Sequence, residues 1–293
     1  MVKAWHATAL ALALGLTFGA AAPAAAPEVP GADQIVTRTL PNGMKLVVWP
    51  DKDIPNVAMY TWYRVGSRNE RPGITGISHF FEHMMFNGTK TRPPGEFDRV
   101  MEGSGGRNNA YTSSDVTVYQ NWFPSSVTGL IFDLESDRMR NLDFDAGKVE
   151  SERGVVFSER RSSVDNDNFG TLLEQMQATA FVAHPYQIPI IGWPSDIEGW
   201  KVADLQDYYH QYYAPNNAVI FIVGDVDPEA VFQLADQYLA SIPAQPAPPA
   251  VTTKEPPQLG ERRLRIERDA QTPLIAMAWH TAAASAREAR VME

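Results

Sequence analysis

His79-Phe80-Phe81-Glu82-His83 sets two imidazoles four residues apart, with a carboxylate directly before the second. On a helix, residues three and four apart share a face, so His79 and His83 can hold one metal ion while Glu82 lies beside it. Gly73-Ile74-Thr75-Gly76 gives such a helix a flexible entry, and Asn87-Gly88-Thr89 stops it, with Gly88 suited to a left-handed C-cap position. The motif therefore sits on a short, bounded helix.

Working outward, the flanks alternate between strand and helix patterns. Residues 34–40 and 45–49 flank Pro41-Asn42-Gly43, and Asn-Gly between two β-rich runs is a strong hairpin signal. Residues 57–65 read as a central strand leading toward the motif helix. Residues 94–102 read as a helix broken by Gly103-Ser104-Gly105-Gly106. Residues 107–112 and 116–123 look like adjoining strands separated by Ser113-Ser114-Asp115. The first is either an ordinary hairpin arm or an exposed edge that can take up an extended peptide as an added strand.

A helix starting at Ser125 as a serine cap would place Val127, Leu130, Ile131 and Leu134 on one face. Along a second helix, residues 145–161, the stripe Val149, Glu152, Val156, Glu159 mixes two carboxylates with valines. Burying carboxylates is costly unless they meet a cation or a metal. A solvated acidic face is the other reading, since Glu150, Arg153, Arg160 and Arg161 lie nearby. A helix over 227–241 has Asp227 as cap, Pro228 in the first turn, and Val231, Leu234, Tyr238 and Leu239 inward. Residues 243–260 form a proline-rich, extended spacer, and 262–267 and 274–279 look like strands of another sheet. His184 reads as a loop packing residue; His210, in a helix over 202–213, and His280, in a late strand, read as structural.

Composition narrows the chemistry. With 293 residues and 44% hydrophobic content the chain can bury one full core and begin a second. A net charge of -10 and a pI of about 5.1 argue against nucleic acid as a partner. There is no cysteine, so a zinc site must use His, Asp or Glu. The order His-x-x-Glu-His is the zinc-peptidase signature His-Glu-x-x-His run in reverse. At the N-terminus, Lys3, an apolar run over 7–18 and small residues over 19–26 resemble a secretory signal peptide across residues 1–26, with the cleavage point open. A periplasmic or secreted location without a stable membrane anchor is the expectation.

Longer runs carry a family resemblance. Trp62-Tyr63-Arg64-Val65-Gly66-Ser67-Arg68-Asn69-Glu70, then Gly76-Ile77-Ser78-His79-Phe80-Phe81-Glu82-His83-Met84 and Phe86-Asn87-Gly88-Thr89, resemble the pitrilysin/insulinase family of zinc metallopeptidases, the inverzincins. So do His184-Pro185-Tyr186 with Ile191-Gly192, Tyr213-Ala214-Pro215-Asn216-Asn217 and Ile222-Val223-Gly224-Asp225-Val226. The resemblance implies an α+β fold of the mitochondrial-processing-peptidase type, a mixed, mainly antiparallel sheet packed against helices, with residues 33–242 as the catalytic domain. It implies Glu159 as third zinc ligand after His79 and His83. Glu152 becomes an acidic residue orienting His79 or His83. Zinc-bound water would be the nucleophile and Glu82 the general base. Gly106-Arg107-Asn108-Asn109-Ala110-Tyr111-Thr112 looks like the family's substrate-binding edge, with Asn109, Ala110 and Tyr111 contacting the peptide.

The function implied is a Zn2+-dependent metalloendopeptidase acting on short or unfolded peptides. Family members build a second, similar domain that closes over the first and adds arginine and tyrosine contacts. Here residues 261–293 read only as its truncated beginning, and 281–293 are alanine-rich and charged. Either the chain is a fragment, or a homo- or hetero-dimer partner supplies the missing half. A noncatalytic, family-like subunit is the alternative. A zinc-scavenging protein would explain the histidines but not Glu82 or the edge strand.

Overall fold

The computed structural model describes residues 29–283 and Ala286; the expected leader over 1–26 lies outside the described residues. The site lies within the compact unit that begins at Gln34.

Strand β1 (Val36–Thr39) and strand β2 (Lys45–Pro50) form the expected hairpin, with Val36 opposite Val48. Gly43 turns the chain at φ 86°, a conformation that costs a glycine least. The Asn42 amide donates to the carbonyls of Leu239 and Ile242, tying this turn to the far end of the domain. Strand β3 (Asn56–Tyr63) alternates as a half-buried strand should, with Val57, Met59, Thr61 and Tyr63 inward. Helix α1 (Ile77–Met84) and helix α2 (Glu96–Gly103) follow, then strands β4 (Arg107–Thr112) and β5 (Thr117–Pro124). Next come helices α3 (Thr128–Asn141), α4 (Ala146–Arg160), α5 (Asn168–Ala180), α6 (Pro194–Gly199) and α7 (Val202–Tyr212). Strand β6 (Ala218–Gly224) and helix α8 (Pro228–Tyr238) complete the strands and α-helices of the described residues.

The six strands lie in the order β1-β2-β6-β3-β5-β4. Only β2 and β6 run parallel; the other neighbours are antiparallel, so the expected α+β class with a mixed, mainly antiparallel sheet holds. β6, last in sequence, enters between β2 and β3, where Ile220 and Ile222 are fully buried. That insertion gives β3 a neighbour on each side, and β4, paired only with β5, is an edge.

Below the motif helix, Phe81 stacks on Tyr208 and Tyr209 of α7, while Phe80 packs on Trp200. The buried Arg138 guanidinium pairs with Glu135 and lies over the rings of Phe86, Phe97 and Tyr119. Glu135 also accepts from Thr61 and Asn121, so this buried charge pair is hydrogen-bonded into the sheet.

Several sequence expectations change. Ser125 does not cap a helix: residues 125–127 form a 3-10 turn, α3 begins at Thr128, and the Ser125 hydroxyl donates to Asp225 instead. Gly88 is left-handed at φ 88°, but α1 ends at Met84, so Gly88 serves the following turn, where a Cβ would meet Pro94 nitrogen at 2.7 Å. The runs 262–267 and 274–279 carry no regular structure, and His280 accordingly lies in no strand; it stacks on Phe181. A strand needs a partner for its backbone groups, and none pairs there among the described residues. Residues 243–260 also lack regular structure. Glu255 accepts backbone hydrogens from Val182, Ala183 and His184, which fastens this stretch to the end of α5.

Candidate active site

The motif helix is held at both ends. Gly76 enters it in the left-handed conformation, and the Glu70 carboxylate accepts from the backbone N–H of Gly76 at 2.7 Å and of Ser78 at 2.8 Å. Acceptors there answer the free donors of a helix N-terminus. Burial pushes the Glu70 carboxyl up to about 8, although the hydrogen bonds from Ser78 and Gly76 pull the other way. On the sheet side, the Tyr119 hydroxyl donates to the Phe81 carbonyl at 3.0 Å.

α4 crosses α1 so that its mixed stripe meets the histidines. Val149 and Val156 are buried in the core, and the two carboxylates between and beyond them find partners. Glu152 reaches His83 Nδ1 at 2.8 Å, and its other oxygen accepts from the Asn87 amide at 2.6 Å. Glu159 reaches His83 Nε2 at 3.2 Å and His79 Nε2 at 3.6 Å. Of the two histidines left open for Glu152, the structure selects His83. The reading of α4 as a solvated acidic face does not describe Glu152, whose side chain is largely buried, while Glu159 stays partly in solvent as it reaches both histidines.

Nε2 of both histidines and a carboxylate oxygen of Glu159 form the one group of potential metal ligands among the described residues, all within 4.8 Å of one another. Donors 2.0–2.1 Å from a tetrahedral zinc lie ~3.4 Å apart, so the observed 3.2 and 3.6 Å fit that ion with little movement. Two imidazoles and a carboxylate also suit zinc chemically and leave a fourth position open. A neutral His83 ring that gives its Nδ1 hydrogen to Glu152 would present the Nε2 lone pair to a metal. Burial pulls the His83 imidazole down, but the hydrogen bonds to Glu152 and Glu159 outweigh it and hold it up at about 9. The bonds from His79 and His83 hold the Glu159 carboxyl far below the usual carboxylate range. The cluster thus gathers opposite charges in the protein alone.

Glu82 stands on the same helix face with its carboxylate beside β4, where the Thr112 hydroxyl donates to Oε2 at 2.6 Å. Two clefts meet at Glu82. One, of about 420 Å³, is lined by His83, Asn87, Asn108, Asn109, Ala110 and Glu152. The other, of about 390 Å³, takes in His79, Tyr111, Thr112, Glu159 and the apolar walls of Leu173 and Ile191. Along β4, Ala110 pairs with the buried Tyr119 and Thr112 with the buried Thr117, facing α1; Asn109 and Tyr111 alternate to the other side. The side chains of the three expected peptide-contacting residues therefore divide between two faces, while their backbone runs along the sheet edge.

Asn87 and Thr112 escaped sequence reasoning. Asn87 lies four residues beyond His83, a spacing that keeps it near the histidine's face. Thr112 is the next inward-facing position after Ala110. His184, expected to pack in a loop, does so between Phe181 and Tyr186, and its Nδ1 accepts from the Tyr186 N–H.

Comparison with known proteins places this geometry in a family. Residues 46–193 match the family model described as Insulinase (Peptidase family M16), and residues 199–292 match the one described as Peptidase M16 inactive domain. The chain is 37% identical over 236 residues to zinc protease PqqE of Helicobacter pylori, covering 79% of this chain and 53% of that protein. It is 30% identical over 188 residues to the uncharacterized zinc protease YmxG of Bacillus subtilis, 64% of this chain and 46% of that one. Among solved structures, a protease from Helicobacter pylori superposes with a TM-score of 0.76 at 36% identity, covering 78% of this chain and 55% of that one. The periplasmic protease PqqL of Escherichia coli superposes at 0.70 with 29% identity, over 77% of this chain and 26% of that one. The chain spans about half the length of the curated relatives it matches. Because the first match takes in β2 through α5 and so every element that builds the His-His-Glu cluster, the chain belongs to the insulinase family of peptidases, peptidase family M16.

Proposed function

We propose that this chain carries the catalytic half of a zinc-dependent metalloendopeptidase that cuts short or unfolded peptides, with His79, His83 and Glu159 as metal ligands. The observation that carries the reading is the convergence of those three side chains with Glu82 beside an open sheet edge. When bound, zinc supplies a Lewis acid that brings a water pKa to about 7 and polarises the scissile carbonyl. Glu82 accepts the proton of the attacking water on its carboxylate and delivers it to the departing amine. Glu152 holds the His83 ring so that Nε2 faces the ion. An extended peptide adds to β4 along Asn109, Ala110 and Tyr111, since backbone pairing binds it with little regard to its side chains.

The proposed division is a leader over 1–26, a catalytic domain over 33–242, a spacer over 243–260 and the start of a second domain beyond it. Export to the periplasm follows from the leader-like composition, and the periplasmic solved relative supports it. No helix of the described residues is long and apolar enough to cross a membrane. A second reading, a subunit that is active only with a partner, draws support from the inactive-domain match over 199–292 and from the half-length coverage.

The test is peptide cleavage by the purified chain and by Glu82→Gln, with zinc measured in both. Both should bind zinc and only the parent should cut. A zinc-loaded parent that cuts no peptide, alone or with a second half supplied, would overturn the enzymatic reading.

A further inference from the structure

We infer that Thr112 is a positioning residue for the general base: its hydroxyl fixes the Glu82 carboxylate in one orientation and so sets how fast the proton is moved. The inference rests on Glu82 being that base, as proposed above. Its ground is geometric. The hydroxyl donates to Glu82 Oε2 at 2.6 Å, within the range of a hydrogen bond from a hydroxyl to a charged carboxylate. A hydroxyl has one hydrogen to give and a carboxylate has two oxygens. Oε2 is therefore anchored and Oε1 remains for the reacting water.

Thr112 is itself held from three sides. It closes the β4–β5 ladder opposite the buried Thr117. The two residues after it are gripped by the main chain, Ser113 carbonyl by the Ser67 N–H at 3.2 Å and Ser114 carbonyl by the Arg68 N–H at 3.0 Å. Gly66 lies so close to Ser113 and Ser114 that any Cβ there would collide with their backbone. A β-branched side chain is also stiff at χ1, so its hydroxyl arrives pre-aimed. On the other side, Tyr119 holds the Phe81 carbonyl, one residue from Glu82. The sheet thus grips α1 by backbone and by base together. Glutamate otherwise spreads over many rotamers, and small misplacements of a reacting group reduce rate steeply.

The experiment compares Thr112→Val, which keeps shape and branching but removes the donor, with Thr112→Ser, which keeps the donor. After zinc content and melting temperature are matched to the parent, Thr112→Val should lose about tenfold or more in kcat with KM within about twofold. Thr112→Ser should stay within about threefold of the parent. If Val folds poorly, Thr112→Ala carries the same comparison. Crystal structures with zinc added give a readout independent of turnover: the parent keeps Glu82 on Thr112, while the valine variant shows the carboxylate moved or spread, with His79, His83 and Glu159 in place. Unchanged kcat in Thr112→Val, a serine variant as impaired as valine, or an unmoved Glu82 in the valine structure would each overturn the inference. An active Glu82→Gln would instead overturn the base assignment beneath it.

Discussion

Gly76 and Gly192 meet backbone to backbone: a Cβ on Gly76 would lie 2.8 Å from the Gly192 Cα, and one on Gly192 would lie 2.7 Å from the Gly76 Cα. Both also have positive φ, 84° and 87°. This contact sits at the entry to α1, so it sets where the helix bearing His79 begins relative to the segment before α6. The Arg160 guanidinium, adjacent in sequence to Glu159, donates to the Gly192 carbonyl at 2.7 Å and links the same contact to α4.

Gly76→Ala should therefore destabilise by about 3 kcal/mol or more, since steric collision adds to the strain of a left-handed alanine. Gly73→Ala is the control: φ is 95° there but nothing lies within 4 Å of a Cβ, so about 1 kcal/mol is expected. Denaturant melts of both variants check the difference, and equal losses would mean the close approach is not tight in solution.

Glu70 gives a pH dependence of stability. Its folded-state value, pushed up to about 8 by burial, exceeds its ordinary value of 4.5. Between those values the folded state binds more protons than the unfolded state, so stability falls as pH rises through that window. Glu70→Gln cannot ionise. Measured against it, the parent should lose about 5 °C or more of melting temperature between pH 5 and 8, and parallel curves would refute the assignment to Glu70.

Removing the Glu152 carboxylate takes away the hydrogen bond that aims His83. Glu152→Ala should weaken zinc binding about 10- to 100-fold in a chelator competition titration. Glu152→Gln, which keeps one acceptor for the His83 ring, should lose less. The reverse order would show that charge near the site matters more than ring orientation.

Zinc should stabilise the fold that binds it. At a hundredfold excess over Kd the gain is about 2.7 kcal/mol, or about 5–10 °C in melting temperature for a domain of this size. Glu159→Gln should show much less of the shift, and magnesium should produce none, because a site of two imidazoles and one carboxylate does not suit it.

Much of the site was legible because its parts are local. The spacing of His79, Glu82 and His83 acquires meaning within little more than one helical turn, and the stripe Val149, Glu152, Val156, Glu159 within three. Asp227 caps α8 as its sequence position suggests, accepting from the Ala230 N–H, whereas Asp145, read only as the start of a helix, proves to cap α4. Ser125 misled because its hydroxyl went to Asp225, a hundred residues away in the chain. The runs after residue 260 misled because apolar alternation makes a strand only where another strand is present to pair with it.

The sequence by itself determined the helix periods, the Asn42-Gly43 hairpin, the placing of Glu152 and Glu159 on one stripe with Val149 and Val156, and the resemblance those runs carry. Tertiary structure alone decided that Glu152 bonds to His83 rather than His79, that Thr112 reaches Glu82, that β6 enters between β2 and β3, and that β4 pairs only with β5 and is an edge. The division is physical. Hydrophobic period and capping act between residues a few positions apart and are written in adjacent letters. Contacts across dozens of residues depend on how a whole core packs, and packing joins side chains that no spacing in the chain relates.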